Sequence, residues 1–564
     1  MSPKLQEHQD SMEDIVLHAV ADDPLERPPS VLLNLLLTCR RFYDMLNVQH
    51  NPRLYYRLFV DKFDAPAVAR RLPEDAMHAA NVAHELRGRY SALQCFRRGN
   101  LDDPQLTQAF LVAYLMLLED DGKNMSQLLW AGLPALLEEY IVERLHVGAD
   151  ASDGWPAVNK TNALVVALFW QMTTRHAIDR ESEERRDRIM TVLQPYALAG
   201  FQYSFLNSGF DPVTMIGPHR MRFGFNDAAV PTACCGSEAL TIQYFGQALC
   251  LHLPSLSLHA ILSYIARFET HTLVIPPNLP RTRAEHPAPG LTCEDIDEYN
   301  QQCRTRPIPH STEAARTDIT RSQRHDIDWA RALHPDPSLG LAPRAVSLYT
   351  PGVLTGAWQG TRLIPSVEEY TALRTGGWDP SSVRSIARWP FFCTLQEHNR
   401  YSSPVSCPTG HEWDDDSNAP VLRRSNGTSR ADDLQNGNSP NKVLSKTFTG
   451  DLYDDAPGNV QSGRFTPDDS SGIVDVTLSG TTDQRHAAAW GAYNFLGRVR
   501  LSDGLVVFVR EDPQVDMMNN VGRILFVGYL LSEQNLVGRW RRYEPNGSDP
   551  SLPYEGIWSL CKQD

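Results

Sequence analysis

Apolar residues recur at three- and four-residue spacing from about residue 12 to 268 and then, beyond 346, at the two-residue spacing of strands. The first regime predicts a helical unit over residues 11–64, opened by Glu13 and Asp14 in its first helical turn, and an α-helical array over 65–275. Array helices are expected around His84–Arg87 and over Leu106–Leu118, Met125–Leu145, Asn162–Thr174, Glu183–Leu198, Ser237–Leu251 and Ser255–Phe268. Breaks fall at Gly122, at Gly148–Pro156 and at Ser204–Pro218. No residue pattern repeats at a fixed period, so an armadillo-like solenoid is a statement about shape alone. The unbroken apolar run Ala109–Leu118 reads as a helix buried on all sides; at ten residues it falls short of the ~20 that span a bilayer.

Residues 276–345 are punctuated by Pro276, Pro277, Pro280, Pro287, Pro289, Pro307 and Pro309. They read as a proline-rich linker with one short helix near Glu294–Cys303. The β regime fills 346–564. Strands are expected over Leu348–Gly360, Ala387–Glu397, Gly472–Gly480, Asn494–Val499, Gly504–Arg510, Arg523–Leu531, Asn535–Tyr543 and Tyr554–Cys561. Asp503-Gly504 marks a tight turn and Ser532–Asn535 a longer one. So many short strands with glycine and aromatic punctuation predict a closed or nearly closed antiparallel barrel. An insert at 402–471, rich in Ser, Asn, Asp, Gly and Pro, has too few apolar residues to order itself. The fold class is therefore α+β and multidomain.

One stretch is unusual for a surface helix. From Ser30 to Leu37 Asn34 is the single polar residue after Ser30, and the run then turns basic and aromatic at Cys39-Arg40-Arg41-Phe42. Ser30 is placed to cap a helix; Leu32, Leu33, Leu36 and Cys39 share one face, and Leu35 and Leu46 extend a second. Read by periodicity alone, this is a core helix covered on most sides.

Leu32-Leu33-x-Leu35-x-Leu37-x-Cys39-Arg40-Arg41-Phe42 resembles the second half of an F-box, with Asp14-Ile15-Val16 and Ala19-Val20 at that family's upstream apolar positions. Asn51–Phe59 resembles the helix that follows. The likeness covers about 11–59; the family's opening Leu-Pro falls here on Ser11-Met12. Farther on, Tyr349–Gly360, Gly528-Tyr529-Leu530, Leu536–Trp540 and Tyr554-Glu555-Gly556 resemble the C-terminal region of F-box proteins common in mushroom-forming fungi. The Gly-x-Trp entry and Gly-Arg-Trp exit strands are also similar to those of lipocalin- and avidin-like barrels, at the level of fold. The resemblance implies a three-helix F-box-like unit that docks a Skp-type adaptor and a cullin scaffold through Ile15, Val16, Leu32, Leu33, Leu36, Cys39, Arg40 and Phe42. An unknown protein substrate would be held by the C-terminal domain.

Composition narrows the partners. Against 53 basic residues stand 68 acidic ones, a net charge of −15, which argues against nucleic acid or an anionic membrane as the main partner. Ten cysteines without a C-x-x-C pair point to reduced thiols in the cytoplasm or nucleus. The N-terminal residues lack the apolar core of a signal peptide. The alternating charges of Arg180–Arg188 read as a solvated helix face.

Catalytic signatures are missing: there is no Gly-x-Ser-x-Gly elbow, no phosphate-binding Gly-x-x-x-x-Gly-Lys and no Gly-x-Gly-x-x-Gly. Cys393, Cys407, His411 and Asp414–Asp416, or Cys293, Cys303 and His310, lack the paired spacing of a zinc site, and Cys234-Cys235 has no adjoining base. No metal, cofactor or catalytic residue is expected. Trp358, Trp490 and Trp540 either line a ligand cavity in the barrel or complete its core; Arg539 and Arg541 share the face opposite Trp540. Two functions fit: a non-catalytic ligase subunit, or a binding protein with a structural F-box and a ligand-holding barrel. A hydrolase site assembled only in three dimensions is the third.

Overall fold

The computed structural model describes residues 12–20, 24, 26–206, 210–216, 240–285, 289–302, 305–307, 320–333, 349–376, 385–401, 473–513, 522–543 and 554–563. The 402–471 insert, Cys234-Cys235, and the candidate ligands Cys303, His310, Cys407, His411 and Asp414–Asp416 lie outside them.

The chain opens with α1 (12–20), α2 (Ser30–Thr38), α3 (Arg40–Leu46) and α4 (Pro52–Lys62). Two details differ from the expected helix. Pro29 holds the N-cap position of α2, so Ser30 is its first residue rather than its cap. Cys39 is extended, with φ −158° and ψ 160°, and ends α2 there. Cys39 and Leu46 therefore do not prolong the faces of that helix.

The array runs through α5 (Pro66–Arg71), α6 (Ala79–Arg98), α7 (Leu106–Leu118), α8 (Lys123–Trp130), α9 (Leu133–Arg144), α10 (Lys160–Met172), α11 (Arg175–Arg180) and α12 (Glu183–Leu198). The expected single helix Met125–Leu145 is two, parted at Gly132, whose φ of 80° is reached at no cost only by glycine. The expected helix Ser237–Leu251 is, over its described residues, a hairpin of β1 (Leu240–Tyr244) and β2 (Gln247–Leu251). Phe245 and Gly246 both take positive φ, 47° and 75°, which is the two-residue turn that matches strand twist. Next comes α13 (Leu256–Phe268), buried along almost its whole length.

The hairpin turn is driven into the array. Phe245 is fully buried, and its N–H donates to Glu85 at 3.1 Å. Tyr244 donates to Glu119, which also pairs with the buried Arg89 at 2.6 Å. The Arg89 guanidinium lies 4.8 Å from the centre of the Phe59 ring, so the charge rests on aromatic faces as well as on its carboxylate.

Within 276–345, α14 (Cys293–Gln302) falls where a helix is expected, and a second, α15 (Asp326–Ala332), follows a 3-10 turn over Arg321–His325. Apolar periodicity does not announce α15. It is held instead by Arg70 and Arg71, which donate to the Asp326 carboxylate at 2.8 to 3.1 Å.

The C-terminal region is a closed antiparallel barrel of eight strands in the order β10-β3-β4-β5-β6-β7-β8-β9. These are β3 (Gly356–Pro365), β4 (Ile386–Tyr401), β5 (Ile473–Thr481), β6 (Asn494–Val499), β7 (Leu505–Glu511), β8 (Ile524–Leu531), β9 (Asn535–Arg542) and β10 (Glu555–Lys562). The first expected strand starts late: residues 349–355 instead cross the barrel end, where Glu397 accepts the N–H groups of Gly352, Leu354 and Thr355 at 2.6 to 3.1 Å. Two short helices, α16 (Val367–Gly376) and α17 (Gln484–Trp490), lie in the connections.

Both faces of several strands are covered. Val506 and Phe508 point into the barrel, while Leu505, Val507 and Val509 join the helical core, so β7 is a continuous apolar run. Leu363, Leu525, Val527, Val537 and Ile557 also face the helices, with α12 and α13 packed against β9 and β10. Inside, Gly528 and Gly538 face each other across β8 and β9. A Cβ on Gly538 would meet the Val527 carbonyl oxygen at 1.9 Å, and the space over Gly528 is taken by the Trp558 ring.

Candidate functional site

Two regions carry the residues singled out from the sequence: the N-terminal helices and the barrel. In the first, Val16, Val20, Leu32 and Leu46 turn inward and join the core with Leu54 and Leu58 of α4. Asn51 caps α4 by accepting the Leu54 N–H at 3.1 Å, and Arg57 of α4 pairs with Asp14 of α1 at 2.9 Å. Leu35, Leu36 and Phe42 are half-buried against this core, while Cys39 and Arg40 are exposed.

The rest of the apolar surface faces solvent. Ile15 is 59% exposed, Leu33 57%, Leu37 76% and Tyr43 54%. Leu33 and Leu37 are four residues apart and form one stripe along α2. Of the helix expected to be covered on most sides, Leu32 alone is fully buried. The docking set named from the sequence thus divides into inward Val16 and Leu32, half-buried Leu36 and Phe42, and outward Ile15, Leu33, Cys39 and Arg40. Leu37 and Tyr43, exposed beside them, were not among the residues named. Their signal was available, since both are large apolar residues left over once Leu32 and Leu46 are assigned to the core.

In the barrel, Trp358 and Trp540 point inward. Their indole N–H groups donate to the Leu354 and Leu363 carbonyls at 2.8 and 3.0 Å. Phe391, Phe495, Phe508, Phe526 and Trp558 fill the middle with ring centres 4.7 to 6.3 Å apart. Trp490 is not a strand residue: it ends α17 outside the barrel and packs on Tyr299 of α14. Arg539 faces outward beneath α12, donating to the Tyr196 carbonyl at 3.0 Å with Glu555 at 3.7 Å. Arg541, on the same face, pairs with Asp211. The structure therefore brings Trp358 and Trp540 into one core and leaves Trp490 and Arg539 outside it.

A polar cluster lies between α15 and the turn that joins β8 to β9. Asp328 of α15 accepts the Ser532 N–H at 2.9 Å and the Ser532 hydroxyl at 3.3 Å, and it pairs with Arg331 at 3.2 Å. Burial alone would push its carboxyl up; hydrogen bonding from His325 and the Arg331 charge hold it below the usual range. Serine, histidine and aspartate thus meet here, but not as a relay, because Ser532 Oγ is as near Asp328 Oδ2 as His325 Nδ1, 3.3 Å each. Beside them lies a cavity of about 40 Å³ lined by His252, His259, Asp328, Arg331 and Tyr529 among others, a volume suited to ordered water rather than substrate. Burial lowers the basicity of His259. Among the described residues no cluster of three or more metal-ligating side chains occurs, and no helix is long and apolar enough to cross a membrane.

Comparison with protein-family models, with curated proteins and with solved structures finds no match to this chain.

Proposed function

We propose that this chain is a substrate-receptor subunit of a cullin-RING ubiquitin ligase, docking a Skp-type adaptor through its first three helices. The observation that carries the reading is the stripe of Leu33 and Leu37, solvent-facing on a helix whose Leu32 is locked in the core. A helix so anchored presents its outer leucines without paying for their ordering at the moment of contact. Ile15 and Tyr43 add apolar area on α1 and α3, and Cys39-Arg40 mark the bend between α2 and α3. The mechanism is scaffolding: the adaptor side links to the cullin, and the C-terminal region recruits the protein substrate. The second reading, a structural F-box in a stand-alone binder, calls for Leu33 and Leu36 to be covered by the array. Leu33 is exposed and Leu36 half-buried.

The test is size-exclusion chromatography with light scattering on the full chain mixed with a Skp-type adaptor, followed by calorimetry. A 1:1 complex is expected, and Leu33→Asp with Leu37→Asp should weaken it by about 100-fold, the scale of two interface anchors. The melting temperature should stay put, since both side chains face water. Absence of a complex at ~10 µM, where even a micromolar interface is populated, sinks the reading.

A further inference from the structure

The alternation that points Trp358 and Trp540 into the barrel also points two cations there. On β3 the inward residues are Trp358, Gly360, Arg362 and Ile364; on β7 they are Val506, Phe508 and Arg510. Strands β3 and β7 stand four places apart in either direction round the eight-stranded barrel, so the two arginines reach in from opposite walls. Both lie near the same end, where Pro365 pairs with Ile386 and Arg510 with Ile524. Arg362 is only 8% exposed.

Among the described residues, neither arginine has an ion pair or a side-chain hydrogen bond. Their contacts are with aromatic faces: Arg362 lies 5.2 Å from the Trp540 ring centre and Arg510 4.0 Å from that of Tyr493. Arg362 Nη1, Arg510 Nε and the indole N–H of Trp558, the cross-strand neighbour of Arg362, are buried donors without an acceptor among the described residues. Asp512 attracts Arg510, and Tyr493 more so. Burial, reinforced by repulsion from Arg510, drops the Arg362 guanidinium to about 9. Buried charge of one sign is costly unless something of the opposite sign offsets it. Every unmatched group here is a donor, which specifies an acceptor rich in oxygen and negative charge.

The rim around them is aromatic. Trp389, the other cross-strand neighbour of Arg362, is 49% exposed, and Tyr554 stands edge-on to Trp540 at 5.6 Å. The barrel centre below is occupied by packed rings, so what enters is confined to this end.

We propose that the Arg362–Arg510 end of the barrel binds a small oxyanion ligand, a carboxylate or phosphate group seated between the two guanidinium groups. Any flat apolar body attached to that group rests against Trp389. This site is independent of the adaptor-docking reading, because it shares no residue with the N-terminal helices.

The experiment is a titration of the full chain with inorganic phosphate and, separately, with benzoate, at ionic strength held constant with sodium chloride. Binding is read by tryptophan fluorescence and by melting temperature. At least one probe should saturate below about 1 mM, and Arg362→Met and Arg510→Met should each weaken it by about 10- to 100-fold, the scale of a lost charge-assisted contact. Arg541→Met, on the outer face, should leave it unchanged. Tighter phosphate identifies a phosphoryl ligand and tighter benzoate a carboxylate. Without any probe, Arg362→Met should melt no lower than the parent chain, since it removes a repelled, unpaired charge. The proposal is overturned if neither probe saturates by about 10 mM, or if both arginine variants respond to the probes as the parent does.

Discussion

Glu533 lies in the turn between β8 and β9, with positive φ at both Ser532 and Glu533. Burial raises its carboxyl to about 7, with Asp328 and Asp326 of α15 adding repulsion and Arg324 and Lys562 opposing it. A folded-state pKa above the unfolded one means the native protein holds the proton more tightly. The stabilisation from this group is therefore present below pH 4.5, the ordinary value, and lost as pH rises through about 7. Glu533→Gln, permanently neutral, should raise stability at pH 8 by about 1–2 kcal/mol, after discounting for partial exposure, and change little at pH 4.5. Urea melts at the two pH values check this; an equal gain at both would place the effect in turn geometry rather than charge. Nothing in the local sequence marks Glu533, since the carboxylates that crowd it come from residues some 200 positions earlier.

At the level of elements, strong local patterns translated into structure and weak ones did not. Glu183–Leu198 and Asn494–Val499 were legible to the residue, the first because Ser182 caps its start by accepting the Arg185 N–H. The hairpin at 240–251 was read as helix because its apolar residues suit either period over so short a run. Gly246 was the clue, and its reason is visible only in three dimensions: a Cβ there would lie 2.5 Å from Asn81 Oδ1, at φ 75°. Gly246→Ala should therefore unseat the turn that carries Tyr244 and Phe245 into the array, lowering stability by ~1–3 kcal/mol. Hydrogen exchange should quicken across 240–251 first; unchanged protection there would show that Asn81 moves aside without consequence. The exposed apolar face of the N-terminal helices was half legible. Its helix and its leucines could be named, but which of them point outward depends on where α2 ends at Cys39, a bend that periodicity does not reveal.

Taken as a whole molecule, helices and barrel share one apolar core, since outward residues of β7, β8, β9 and β10 pack with the helices. The inward-facing tryptophans were foreseen as core or cavity lining; that the outer wall of the barrel would also be buried was not, because each strand's second apolar face looks the same whether it meets helix or partner. A fragment of residues 346–564 alone would bare Val507, Val509, Leu525, Val527 and Ile557 together. It should aggregate or bind a hydrophobic dye strongly, whereas the full chain should melt in one transition seen alike by helix and strand signals. A monomeric, dye-silent fragment would contradict this.

The shared wall also sets a clock on synthesis. The apolar sides of α12 and α13 leave the ribosome well before β9 and β10, the strands that cover them. Roughly 290 residues separate Phe268 from Lys562, which at ~5–20 residues per second is about 15–60 s of exposed surface on every nascent chain. The barrel is thus the lid its own first half waits for, and a ribosome that stalls after α13 releases a sticky fragment rather than a finished domain.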